Sequence, residues 1–285
     1  MAGISIARGD ITEQRVDVIV NAANRAMRGG GGVDGAIHRA AGPALLRECV
    51  ERFPNGLETG DAGWTPGGDL HARWVVHTVG PDFHAGERDA ALLASCYRRS
   101  LEVAASLGAR SIAFPIISSG IYGWPLGEAV GTAIHAVIDA DASGITTADE
   151  IVFVAHERSM EARLQAMLWS RRPPATAEGS IGALFDRVPA MTDPPHSDLG
   201  PLRGDTYLEA LLRGRLAQTP QPADPAETSA LLARVITEIT GIPLDSVEGD
   251  GLAQVPELNP GHGMSAGVVA MRWWREVRIP MLLGG

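Results

Sequence analysis

The chain has 285 residues, of which 45% are hydrophobic, enough for one large domain or two. Its formal net charge of −10 excludes a general nucleic-acid binder, which needs a basic surface toward the phosphates. Any anionic ligand must therefore be held by local backbone N–H groups. The N-terminus has no signal-peptide pattern, and no apolar run approaches the ~20 residues of a membrane span. We therefore expect a cytoplasmic protein without a membrane partner.

Residues 1–172 alternate strand-like and helix-like patterns. The predicted strands are short apolar runs at Ile4–Ala7, Val16–Val20, Trp74–Thr78, Ser111–Ile117 and Ile151–Ala155. The predicted helices are Val33–Ala41, Ala44–Val50, Ala90–Leu107, Pro125–Ala140 and Glu157–Trp169. This alternation, with nearly continuous apolar strands, predicts a sheet that helices cover on both faces.

The remaining residues differ in composition. Residues 173–225 hold nine of the 19 prolines, and we interpret them as a proline-rich, partly ordered linker. Residues 226–285 regain helical spacing at Glu227–Thr240 and Ser265–Val277. They predict a small helical module, whose role the sequence does not indicate.

Two glycine-rich segments follow predicted strands. The first glycine loop, Gly29–Gly32, precedes a helix, and the second glycine loop is Ser118–Gly123. Small residues leave backbone N–H groups uncovered, and such groups bind phosphate oxygens. Both loops come at the C-terminal ends of strands, where ligands bind to such sheets. Two loops therefore predict a ligand with two phosphates. The apolar side chain of Ile121 and the ring of Tyr122 lie at a loop tip, which indicates that they cover a bound ligand.

Asp34 follows the first glycine loop and has two interpretations. It could be the N-cap of the next helix. It could also be a base, because the negative charge of a bound diphosphate would raise the pKa of its carboxyl group. The sequence leaves these alternatives open.

Other candidates stand at predicted strand ends. Asp10 is either a turn residue or a carboxylate that accepts from an exocyclic adenine amine. Asn21 and Asn24 flank the first glycine loop, where amides could orient sugar hydroxyls or act structurally. His156 ends the last strand, where its ring could stack on a base. We expect the other histidines that we weighed to be structural or solvated, because they lack ligand-like spacing: His38, His71, His77, His84 and His135.

No metal site is predicted. The two cysteines, Cys49 and Cys96, lie far apart in helical patterns and have no Cys or His neighbours at ligand spacing. We expect buried free thiols in a reducing compartment.

Together these residues resemble the macrodomain family, specifically the MacroD-type ADP-ribosyl hydrolases. The resemblance covers about residues 3–172 and rests on Gly9–Thr12, Val16–Asn24, Gly29–Gly42, His77–Pro81 and Ser118–Gly123. It implies an α/β fold, a three-layer α/β/α sandwich with a six-stranded mixed sheet, followed here by a partly helical C-terminal extension. Met27 and Arg28 depart from the small or apolar residues usual in the family, which predicts a more basic rim.

The resemblance also implies a role for each site residue. Asp34 and Asn24 would be catalytic, and Asn24 would hold the distal ribose. Asp10 would bind the adenine amine beside the N–H of Ile11, with the ring of His156 over the base. Tyr122 would pack against the distal ribose. From its place beside the first glycine loop, Asn21 is counted as a further ligand contact. The residues that enclose the diphosphate would be Gly30, Gly31, Gly32, Val33, Ser118, Ser119, Gly120, Ile121 and Tyr122.

The activity implied is hydrolysis of mono-ADP-ribose from acidic side chains of modified proteins, without a cofactor or metal. The partners would be ADP-ribose and mono-ADP-ribosylated proteins, and the same site could deacetylate O-acetyl-ADP-ribose. Two alternatives remain. One is a non-catalytic ADP-ribose reader, against which Asp34 argues, and the other is an ADP-ribose 1″-phosphate phosphatase.

Overall fold

A computed structural model describes residues 2–172, 175–183 and 211–240, with the single residues 279 and 283. The chain forms two compact units, which divide between residues 164 and 165. Among the described residues, no helix is long and apolar enough to cross a membrane. The predicted helix at Ser265–Val277 lies outside them.

The first unit contains a six-stranded sheet in the order β1-β6-β5-β2-β4-β3. The edge strand β3 runs antiparallel to β4, and the other neighbouring strands are parallel, so the predicted mixed sheet is confirmed. The strands are β1 (Gly3–Arg8), β2 (Val18–Ala23), β3 (Ala62–Pro66), β4 (Trp74–Val79), β5 (Ser111–Phe114) and β6 (Glu150–Ala155).

Four helices and a 3-10 helix at Ile11–Glu13 connect the strands, and a fifth helix follows the last strand. Glycine separates the first two helices, because Gly42 has a φ of +76° and Pro43 then begins a new helix. The helices are α1 (Gly32–Ala41), α2 (Pro43–Arg52), α3 (Ala90–Ser106), α4 (Leu126–Ala142) and α5 (Arg158–Arg171).

Alternate residues of the strands build the two faces of the sheet. Ile19 and Val75, which are paired in register, pack with Ile37 of α1 and Leu45 of α2. On the other face, Tyr97 of α3 contacts aromatic rings of β5 and β6, Phe114 and Phe153. Each such buried side chain contributes about 1.5–3 kcal/mol. The sheet is therefore the middle layer of a three-layer sandwich.

Three strand predictions were wrong. β3 was missed, because its Ala-Gly-Trp-Thr-Pro sequence lacks a β-branched run, and an edge strand tolerates proline. β5 ends at Phe114, three residues early, because Pro115 has no N–H and the N–H of Ile117 donates to Tyr97 Oη. β2 runs to Ala23, so Asn21 lies inside a strand and not after it.

The second unit contains helices and turns among its described residues. Residues 211–216 are helical although they lie in the predicted linker, and helix α6, Pro225–Thr240, confirms the predicted helix there. Asp224 precedes α6, and its carboxylate accepts from the N–H of Ala226. Buried apolar side chains in this unit include Leu168, Ile181, Leu211, Leu212, Leu216, Leu232, Val235, Ile236 and Ile279.

Candidate functional site

The two glycine loops meet at the C-terminal edge of the sheet. The side chain of Ile121 in the second glycine loop reaches over the first, where its Cδ1 atom lies 2.9 Å from the position of a Cβ on Gly31. The corresponding distance for Gly32 is 3.7 Å. Ile121 is 68% exposed, so this side chain bridges the loops at the surface of the molecule. The loops therefore form the two walls of one cleft.

Helix α1 begins directly in the first glycine loop. Its N-cap is Gly31, with extended backbone and no side-chain cap. The uncapped N–H groups of the first turn and the helix dipole favour an anion at this point. Asp34 is the third residue of α1, so its interpretation as an N-cap was wrong.

Asp34 is held from two sides and is only 4% exposed. Asn21 Nδ2 donates to Asp34 Oδ1 at 2.7 Å, and His38 Nε2 lies 3.4 Å from the same oxygen. Burial raises the pKa of Asp34, while the Asn21 hydrogen bond and the charge of His38 oppose that rise. The sequence argument attributed a raised pKa to a bound diphosphate, whereas in the structure burial is the cause. A raised pKa suits a base.

His38 has a structural contact beside the site, because it pairs with Asp34. Its side chain is half-buried on α1, four residues after Asp34, and its ring packs 3.6 Å from the position of a Cβ on Gly29. The i,i+4 spacing from Asp34 on a predicted helix is the sequence signal that could have identified this contact.

Gly30 lies between the two residues predicted to be catalytic. A Cβ there would be 3.0 Å from Asp34 Oδ2 and 3.2 Å from Asn24 Nδ2, so a side chain would crowd both. Asn24 Nδ2 donates to the carbonyl oxygen of Gly29 at 2.7 Å, which shapes the loop. Asn24 Oδ1 is buried and accepts no hydrogen bond from the described residues, so it can accept one from a ligand hydroxyl.

His77 is structural, as expected, but it is also connected to the site. Asn21 and His77 face each other across β2 and β4 and are both fully buried. Asn21 Nδ2 lies 3.1 Å from His77 Nδ1, and His77 Nε2 lies 2.9 Å from Thr65 Oγ1. Burial, helped by the charge of His38, lowers the pKa of His77 to about 3, so the ring is neutral at physiological pH.

The second glycine loop is closed by its own backbone. Trp124 N–H donates to the carbonyl of Ser118, and Gly123 N–H donates to the carbonyl of Gly120, each at 2.9 Å. Ser118 has a φ of +64°, a strained conformation for a residue other than glycine. Ser119 Oγ donates to the Ile116 carbonyl at 2.8 Å. These bonds preset the loop before any ligand binds.

Tyr122 lies at the acidic end of the cleft and is half-buried. Burial raises the pKa of its hydroxyl, and the negative charges of Asp82, Asp34 and Glu87 raise it further. The hydroxyl therefore stays protonated and can donate a hydrogen bond.

Asp10 is exposed at the end of β1. Its Oδ1 accepts from the N–H of Thr12 at 2.9 Å, which caps the 3-10 helix, so the predicted turn role is present. The side chain of Ile11 is buried in the core, so only its backbone could contact a ligand. Val33 packs partly buried against that core.

His156 lies at the same edge of the sheet as Asp10. The N–H of Gly9 donates to the carbonyl of Ala155 at 3.0 Å, which brings the chain leaving β1 beside the chain leaving β6. The side chain of His156 is exposed there.

The rim residues Met27 and Arg28 serve the loop itself. Met27 is 1% exposed and packs in the core. The guanidinium of Arg28 donates to the carbonyls of Met27, Phe53 and Pro54. Arg28 therefore supports the loop backbone while its side chain stays exposed, and the more basic rim stays a prediction.

Among the described residues, no cluster of three or more His, Cys, Asp and Glu side chains could hold a metal ion. Cys49 and Cys96 are buried free thiols, and burial raises the pKa of each to about 11. Neither thiol is a nucleophile near neutral pH.

Comparison with known proteins shows which family this chain resembles. The family model described as Macro domain matches residues 20–133. A macro domain-containing protein of Streptomyces griseus is 54% identical over 157 residues, which cover 54% of this chain and 89% of the relative. One of Streptomyces coelicolor is 52% identical over 167 residues, which cover 57% of this chain and 96% of the relative.

Solved structures of macrodomains are also similar to this chain. The Oceanobacillus iheyensis macrodomain with ADP is similar with a TM-score of 0.55 and 40% identity. The similar region covers 59% of this chain and 90% of the Oceanobacillus iheyensis chain. The Trypanosoma brucei macrodomain in complex with ADP-ribose has a TM-score of 0.52 at 41% identity and covers 56% of this chain and 67% of its own.

Proposed function

This chain belongs to the macro domain family, and we propose that its cleft binds ADP-ribose and hydrolyses mono-ADP-ribose from acidic side chains of modified proteins. The observation that carries the catalytic part is the Asp34 carboxylate, which is buried beside the cleft with a raised pKa. The complexes of similar macrodomains with ADP and ADP-ribose support the choice of ligand.

The binding mode follows from the chemistry around the cleft. Asp10 accepts from the adenine amine beside the Ile11 N–H, and His156 covers the base. The diphosphate lies between the two glycine loops, where backbone N–H groups and the start of α1 stabilise its charge. The free acceptor Asn24 Oδ1 and the hydroxyl of Tyr122 contact the distal ribose.

The reaction uses water and no cofactor. Asp34, or a phosphate oxygen positioned by the loops, accepts a proton as water attacks C1 of the distal ribose. The bond from C1 to the ester oxygen breaks, and the protein side chain leaves as a carboxylate. General-base assistance contributes about 10²–10⁴-fold, and alignment of the water with the ribose contributes more.

The test is hydrolysis by the full chain. A glutamate-ADP-ribosylated protein and an arginine-ADP-ribosylated protein are incubated with it, and release of ADP-ribose is followed. We expect release from the glutamate ester alone, slowed by about 100-fold or more in Asp34→Asn. Tight binding without release would instead indicate a reader, and release of phosphate from ADP-ribose 1″-phosphate alone would indicate a phosphatase.

A further inference from the structure

A chain of buried hydrogen bonds crosses the sheet from its edge strand to Asp34. It begins at Thr65 on β3, passes through His77 on β4 and Asn21 on β2, and ends at the Asp34 carboxylate on α1. Its three links measure 2.9, 3.1 and 2.7 Å. Thr65, His77 and Asn21 are 0% exposed. Thr65 and His77 therefore cannot touch a ligand in the cleft.

The chemistry of the groups fixes which atom donates and which accepts in each of these hydrogen bonds. A carboxylate only accepts hydrogen bonds, so the Asn21 amide must present Nδ2 to Asp34. The second hydrogen of Nδ2 points to His77 Nδ1, which must then accept. Because the ring is neutral, its proton is on Nε2 and is donated to Thr65 Oγ1. The opposite tautomer would set two N–H groups against each other in a buried site.

We propose that Thr65 and His77 are positioning residues for the reaction at Asp34: they fix the Asn21 amide, which holds one carboxylate oxygen and leaves the other toward the first glycine loop. Asp34 Oδ1 is the oxygen bound by Asn21, and Oδ2 is the oxygen beside Gly30. This inference rests on the proposed hydrolysis for its kinetic consequences. The hydrogen-bond chain itself is testable without turnover.

The hydrogen-bond chain also affects the pKa of the Asp34 carboxyl group. The hydrogen bond from Asn21 lowers the pKa of a carboxyl group that burial raises. If Thr65 or His77 no longer holds the amide, that bond weakens and the pKa of Asp34 rises. The other titratable groups coupled to Asp34 are His38 on α1, Cys49 on α2 and Tyr122 in the second glycine loop. Two of them also act on His77: Cys49 Sγ lies 3.7 Å from His77 Nε2, farther than Thr65 Oγ1 at 2.9 Å, and the charge of His38 lowers the pKa of His77.

The first experiment compares Thr65→Val with Thr65→Ser in the full chain. Valine matches threonine in shape and removes the acceptor of the His77 N–H, whereas serine keeps the hydroxyl. For Thr65→Val we expect the acid limb of the kcat–pH profile to move up by about half a pH unit. Thr65→Ser should leave the limb in place. ADP-ribose affinity should change less than about twofold in both variants, because neither side chain reaches the cleft.

The second experiment uses His77, whose two nitrogens can be replaced separately. The amide oxygen of asparagine can take the place of Nδ1, and glutamine can take the place of Nε2. His77→Asn should keep kcat within about fivefold of the parent, while His77→Gln, which loses the acceptor for Asn21, should lower kcat by about tenfold or more with KM nearly unchanged. Melting temperatures of the pair show whether both variants fold.

The Asp34 carboxyl is also titrated by NMR in the parent, Thr65→Val and Thr65→Ser, with ADP-ribose absent. A raised Asp34 pKa in Thr65→Val alone supports the inference even if the parent hydrolyses nothing, which would overturn only the proposed activity. An unchanged Asp34 titration in Thr65→Val overturns the inference, and so does an equal shift in Thr65→Ser.

Discussion

Ile121 and Gly31 join the two glycine loops, because the Cδ1 atom of Ile121 lies 2.9 Å from where a Cβ on Gly31 would stand. Only glycine leaves room for this approach. An apolar side chain that is 68% exposed contributes little to the stability of the fold. We therefore expect Ile121 to contact the bound ligand.

Ile121→Ala should therefore weaken ADP-ribose binding by about 1 kcal/mol, because less apolar area covers the bound ligand. The free energy of unfolding should change by less than about 0.5 kcal/mol. Leu46→Ala is the matched control, since Leu46 is an exposed apolar residue on α2 at 40% exposure. Calorimetry and thermal melts measure both effects, and equal affinity losses in the two variants would contradict a role for Ile121 at the ligand.

Asp34→Asn should lower hydrolysis by about 100-fold or more and leave ADP-ribose affinity nearly unchanged. The substituting amide oxygen still accepts from Asn21, so the site keeps its shape, but the carboxylate base is lost. Loss of a charge beside the diphosphate can even tighten binding. Single-turnover assays and calorimetry separate these effects. A folded variant that releases ADP-ribose at the parent rate would remove the main support for the enzyme.

The same substitution predicts a pH-dependent gain in stability. Burial raises the pKa of Asp34 in the folded protein above its unfolded value. Between these two pKa values the folded state binds the extra proton, so the parent loses stability as pH rises through that window, by up to about 1.4 kcal/mol per pH unit. Asp34→Asn should thus be stabilised relative to the parent above the window and equal to it below. Urea unfolding across pH measures the difference, and a pH-independent difference would refute it.

Asp10→Ala should weaken ADP-ribose binding by about 1–3 kcal/mol and leave binding of ribose 5-phosphate, which has no adenine, almost unchanged. Asp89→Ala is a close control, because Asp89 Oδ1 caps α3 by accepting from the N–H of Ala91 at 2.8 Å, as Asp10 Oδ1 does from Thr12. Both variants should lose about 0.5–2 kcal/mol of stability. Equal losses for the two ligands would leave Asp10 with only its turn role.

Gly35→Ala and Gly120→Ala should differ in stability. A Cβ on Gly35 would lie 2.5 Å from the carbonyl oxygen of Gly30, whereas a Cβ on Gly120 meets nothing within 4 Å. Gly35→Ala should therefore cost about 1–3 kcal/mol of stability by moving the first glycine loop. Gly120→Ala should have the melting temperature of the parent. A loss of ADP-ribose affinity in this variant would show that the ligand packs closely against Gly120. A Gly35→Ala variant as stable as the parent would show that the loop adapts freely.

Residues 1–172 should bind ADP-ribose as the full chain does, because every residue of the proposed site lies within them and α5 ends at Arg171. The experiment tests the prediction of a ligand-binding domain over 1–172, followed by a linker over 173–225 and a helical module over 226–285. Calorimetry on the shortened chain is the measurement. A folded fragment without binding would mean that later residues complete the site.

The sequence by itself determined the alternation of strands and helices and the two loops between them. These are local properties, since apolar runs, glycine stops and the Gly42–Pro43 break act within a few residues. The same locality explains why β3 was missed: its stability comes from pairing with β4 and not from its own composition.

Only the tertiary structure decided how the site works. The pairing of Asn21 with His77 depends on the register of β2 against β4, which no local pattern contains. That Asp34 is bound by Asn21 and His38, and is not a cap, depends on how α1 packs on the sheet. The pKa of its carboxyl depends on the same packing, because burial is a property of the folded chain and not of any residue type.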